Sequence, residues 1–93
     1  MPSFKVAHIH EQGQDMLLFP LDAAFGLKGP VIQDKALAEL QARAHGAGLS
    51  GHAVAVWEEG NRTRSVGPKA WEAFLASLSM QFVLKRVNKT ISW

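Results

Sequence analysis

The run Met16-Leu17-Leu18-Phe19 constrains the fold of this chain more than any other stretch. Side chains of an extended strand alternate between faces, so four apolar neighbours in a row load both faces of a sheet. Such a strand belongs in a sheet's interior. Pro20 marks its end, because proline cannot donate to a ladder. Upstream, Phe4 to His10 reads as a first strand, and Glu11-Gln12-Gly13-Gln14 supplies a short polar loop with a glycine. Residues 4–19 are therefore expected to form a β-hairpin whose second strand is Asp15 to Phe19.

The rest of the chain supplies the partners. Asp22 to Pro30 reads as a loop, with two glycines, a proline and an exposed Phe25. A helix is expected from Gln33 or Asp34, with Asp34 as N-cap. Leu37, Leu40, Ala44 and Ala47 recur on one face of it, and Lys35–Glu39 and Glu39–Arg43 are spaced as charge pairs. Gly46 and Gly48 stop it. His52 to Glu58 then alternates as a third strand, Glu59-Gly60-Asn61 turns, and Arg62 to Val66 returns as a fourth. Gly67-Pro68 opens a second helix, whose stripe is Trp71, Phe74, Leu75 and Leu78. Gln81 to Val87 reads as a fifth strand. Asn88-Lys89 is a turn that allows Thr90 to Trp93 as a short sixth.

The expected order is β-β-α-β-β-α-β, an α+β fold with a mixed, mostly antiparallel sheet of five or six strands. Each helix carries a single apolar stripe, which predicts a two-layer sandwich with both helices on one face. Apolar residues, Ala included, make up 47% of the chain and charged residues 19%, too apolar a mixture for a disordered segment. At 93 residues with no linker-like stretch, the chain is expected to be one domain, 1–93. Its start lacks the charged and apolar regions of a signal peptide, and no apolar run approaches the length of a membrane span. A cytoplasmic protein with no membrane attachment is expected.

Chemistry-bearing patterns are few. With no Cys, there is no disulfide framework, thiol nucleophile or Cys-based metal site. Gly46-Ala47-Gly48-Leu49-Ser50-Gly51 fits G-x-G-x-x-G. A dinucleotide fingerprint, however, needs a strand before the glycines and a helix N-terminus after them. Here a helix ends at the glycines, and helix C-termini present carbonyls, which repel phosphate. Ser50 likewise lacks the strand-to-helix turn of a nucleophile elbow. No cofactor is therefore expected. His8 and His10 alternate on a strand and so share a face, from which two imidazoles reach one metal ion if Glu11, Asp15, Asp22 or His52 completes the set. Phe4 and Val6 share that face, which argues instead for a core edge running into a loop.

Charge is distributed unevenly. Residues 1–60 carry four Lys/Arg against seven Asp/Glu, while residues 61–93 carry six against one. Arg62 and Arg64 lie on the fourth expected strand, Lys85 and Arg86 on the fifth, and Lys89 just beyond. Adjacent, these cations would form a basic patch, with Trp57 and Trp93 as stacking surfaces for unpaired bases. Charged edge strands also serve simply to discourage edge-to-edge association. Trp93, at the last position, closes the core or anchors a subunit interface.

The stretch from His8 to Asp22, with Ala47-Gly48-Leu49 and Val54-Ala55-Val56-Trp57, resembles a group of short bacterial proteins of similar length without assigned function. The resemblance spans the chain and implies a bacterial cytoplasmic protein; it transfers no functional residue. Taken together, these features favour a small non-enzymatic binding or regulatory module acting through protein contacts, homodimerisation among them. The alternative is nucleic-acid binding through Arg62, Arg64, Lys85, Arg86 and Lys89, flanked by Trp57 and Trp93. Metal binding or acid–base chemistry at His8 and His10 is the third.

Overall fold

The computed structural model describes residues 3–11 and 13–92. Strands β1 (Ser3–Glu11) and β2 (Gln14–Pro20) form the expected hairpin, paired antiparallel from Ala7↔Leu18 to Glu11↔Gln14. A 3-10 helix (Ala23–Leu27) and α1 (Pro30–Gly46) lead to β3 (His52–Glu59), which turns into β4 (Arg62–Val66). A short 3-10 turn (Lys69–Trp71), α2 (Glu72–Ala76), α3 (Met80–Arg86) and β5 (Lys89–Ser92) complete the chain. The sheet order is β4-β3-β2-β1-β5. β2 and β3 run parallel through the α1 crossover, and the other three pairings are antiparallel. The α+β class and the five-stranded, mostly antiparallel mixed sheet therefore stand as expected. Trp93 lies outside the described residues.

The helices, however, do not share one face. α1 buries Leu40 and Ala44 against Val6, Leu17, Phe19, Ala53 and Ile91. Leu75, Leu78, Met80 and Val83, from the α2–α3 segment, pack on Ala7, Met16, Leu18, Val54 and Val56. These two sets of strand residues alternate along β1, β2 and β3, so they occupy opposite faces and the sheet lies between two helical layers. The cause is the central run itself: Met16 to Phe19 and Ala53 to Trp57 are buried without a break, and both faces need cover.

Residues 81–87 are helical rather than a fifth strand. Ser79 caps this helix, its Oγ accepting from the backbone N–H of Phe82, and Lys85 and Arg86 occupy the last turn beside the carbonyl end. Met80 and Val83, three apart, give it a buried stripe. The single helix expected around Trp71 to Leu78 is broken instead into a 3-10 turn and a short α2. α1 begins at Pro30, ahead of Asp34, because proline's fixed φ and missing N–H suit the first helical position. Phe25 is buried rather than exposed, its ring meeting the edge of Trp57 with centroids 5.1 Å apart. Asp22 caps the turn that carries it. None of the described helices is long and apolar enough to cross a membrane.

Candidate functional site

The sheet order decides what the cations can do together. β4 and β5 form opposite edges, so Arg62 and Arg64 stand about four strand spacings, roughly 19 Å, from Lys89. Lys85 and Arg86 lie on α3, in the layer on the other side of the sheet from α1, with the Arg86 guanidinium 5.1 Å over the Phe82 ring. The five expected cations therefore do not converge. Trp57 is only 4% exposed, covered by Phe25 and by the backbone at Gly26, where a Cβ would overlap the indole Nε1. It has no free face on which a base could stack.

Arg62 and Arg64 remain a pair, and their setting is specific. Cross-strand pairs Glu59↔Arg62, Trp57↔Arg64 and Ala55↔Val66 put these three β4 side chains on the α1 face. Thr63 and Ser65 take the other face, where Thr63 Oγ1 accepts from the Met80 backbone N–H at the start of α3. No described strand pairs with the outer side of β4, so half of its backbone N–H and C=O groups point away from the sheet. Alongside runs a groove of about 600 Å³ between β4 and α2, with Pro68, Leu75 and Ala76 in its lining and Lys69 and Glu72 at the helix side. The groove exists because α2 is short and packs on the sheet through Leu75, leaving the edge strand uncovered.

The second cluster forms where β1 ends and β2 and β3 begin. His10 Nδ1–H donates to Asp15 Oδ1 at 2.8 Å, and His8 Nε2 lies 3.9 Å from the same oxygen. Ser50 Oγ–H donates to Asp15 Oδ2 at 3.4 Å, and His45 Nε2–H donates to the Gly51 carbonyl. Asn88 seals the strand behind, accepting from the His8 N–H and donating to the His8 C=O. Pairing of His8 and His10 on one face was legible in their spacing. The Ser50 and Asn88 contacts span 35 and 80 residues and have no local signal. Hydroxyl and imidazole both donate to one carboxylate, so the imidazole is aimed at Asp15 and not at Ser50, the reverse of what an activated serine requires. Among the described residues no three His, Asp or Glu side chains form a metal-holding group.

The His10 hydrogen bond, aided by the His10 and His8 charges and the Ser50 hydroxyl, holds the Asp15 carboxyl below the usual carboxylate range, against a smaller opposing effect of desolvation. A depressed folded-state pKa adds stability that is fully present above the unfolded value, about 3.9, and is lost as pH falls through the folded one. Asp15→Asn should therefore flatten the acid limb. Urea midpoints of the native chain and the variant are expected to differ at pH 7 and to converge as pH falls below about 4. Midpoints that stay parallel over that range would show that the cluster does not couple to folding.

Family models, curated proteins and solved structures were all compared with the chain, and none matches it.

Proposed function

We propose that this chain is a small non-enzymatic binding module that recognises an extended segment of a partner protein by adding it as a strand to β4. The observation that carries this reading is the outer edge of β4, unpaired among the described residues and bordered by the groove against α2. Strand addition draws its affinity from main-chain hydrogen bonds and its selectivity from alternate side-chain pockets. The unpaired edge of β4 supports the first, and the groove against α2 supports the second. Nucleic-acid binding has less support, because its cations are dispersed over two edges and two layers and Trp57 is buried. Homodimerisation through β4 is opposed by charge: pairing all five residues of two copies antiparallel sets Arg64 against Arg64.

Selection from a library of displayed, unstructured peptides followed by amide hydrogen exchange tests the proposal. A selected peptide is expected to slow exchange at alternate amides of β4, the outward-facing ones, and to leave β5 unchanged. Protection confined to β5 or α3 would place binding elsewhere and refute it.

A further inference from the structure

We infer that the segment received by β4 alternates acidic and small apolar side chains. The inference rests on the edge-strand reading and adds the chemistry of what is recognised. A strand laid outside β4 continues both faces of the sheet, its side chains standing about 5 Å from those directly opposite. On the α1 face those neighbours are Arg62 and Arg64, both exposed and neither in an ion pair among the described residues. Glu59, opposite Arg62 on β3, is engaged by the Trp57 indole N–H at 3.5 Å. The outer side of both guanidiniums is thus open to carboxylates, which their planar forks bind in bidentate fashion.

On the other face the incoming side chains meet the groove. Pro68, Leu75 and Ala76 give it apolar walls, and Leu75 is already 7% exposed, buried in the core beneath. Lys69 and Glu72 at its helix side carry one charge of each sign, and Arg64 also borders it, so the groove's rim is net positive. At about 600 Å³ the groove has room for side chains the size of Ala or Val. The period of two along any strand links the faces: one residue in two meets arginine, and the next meets the groove. A phosphate backbone satisfies the arginines yet offers nothing to the apolar walls of Pro68, Leu75 and Ala76, and β4 of a second copy brings arginine to arginine.

Three short synthetic peptides, alternating Glu/Val, Gln/Val and Lys/Val, are titrated against the native chain, with oligothymidylate as a fourth probe and β4 amide exchange as the site readout. The Glu/Val peptide is expected to bind tightest, to slow β4 exchange and to weaken with salt. The exposed pair R62E/R64E should lose about tenfold or more of that affinity and prefer the Lys/Val peptide, while R62Q/R64Q, which sets no like charge opposite Glu59, should lose the preference for Glu/Val with its melting temperature nearly unchanged. If Gln/Val binds as tightly as Glu/Val and protects β4, the acidic requirement is wrong while strand addition stands. If no peptide protects β4, both fall. Tighter binding by oligothymidylate than by Glu/Val overturns the inference in favour of nucleic acid.

Discussion

Replacing Phe19 with Ala is expected to cost about 3–5 kcal/mol of stability, a large part of what a domain of this size possesses. Phe19 is fully buried on β2, the middle strand of five, beneath Leu40 and Ala44 of α1 and beside Val6 and Leu17. Truncation removes its transfer free energy and leaves a cavity walled by three elements that cannot easily collapse. At roughly 4 °C or more per kcal/mol, the melting temperature should fall by about 12 °C or more. Leu27→Ala is the natural comparison, since Leu27 is 90% exposed and its loss should stay within about 0.5 kcal/mol. Calorimetry of both variants reads the difference. Equal, small shifts would mean that the α1 layer does not pack on β2 as described.

The second large effect is expected at Gly51. Its φ of +125° is one that side-chain-bearing residues rarely adopt, and a Cβ there would stand 2.7 Å from the backbone oxygen of Asp15. Carbonyl oxygens of a central strand do not yield as a flexible side chain does. Strain and overlap together should cost Gly51→Ala about 2–5 kcal/mol. Gly48→Ala separates the two contributions, because Gly48 also has positive φ, +88°, but open space around its Cβ position. It should lose only about 1–2 kcal/mol. Urea melts in which the two variants lose equally would show that close approach to Asp15 is not what holds the loop. The Gly51 variant should also weaken the acid-range effect of Asp15, since it displaces the strand that carries that carboxylate.

The two hairpins were legible because their signals are local. Alternation in His52 to Glu58, the glycine in the 11–14 loop, Pro20, and the Glu59-Gly60-Asn61 turn each act over a few residues. Val83, β-branched in a short apolar stretch, made residues 81–87 look extended, whereas Ser79 followed by Met80 and Val83 three apart already marked a capped helix. The placement of helices on both sides follows from Met16 to Phe19, which needs cover above and below. Each helix's own stripe, being single, says only that one side of the helix is buried and nothing about which sheet face receives it. The basic patch that Arg62, Arg64, Lys85, Arg86 and Lys89 would form if adjacent does not assemble, for a related reason. Strand order is set by long-range pairing, and β5 joined β1 through Phe4↔Ile91 rather than lying near β4. Burial of Trp57 depends on Phe25 and Gly26, some thirty residues upstream, which no period in β3 reveals.

The one parallel pairing in the sheet bears on how the molecule is made. β1–β2 and β3–β4 each pair strands that are near neighbours in sequence, so either can form on its own within microseconds. Joining them as β2 beside β3 requires the whole stretch from Leu21 to Gly51 to be looped back, and that loop's entropy is lost before Met16↔His52 or Pro20↔Val56 returns anything. Assembly speed is therefore governed by how well α1 shortens the loop in advance. Exposed helix-weakening changes on α1, Ala38→Gly or Ala42→Gly, would slow that step while leaving the contacts between the hairpins untouched. The time needed for the hairpins to find each other belongs to the connector.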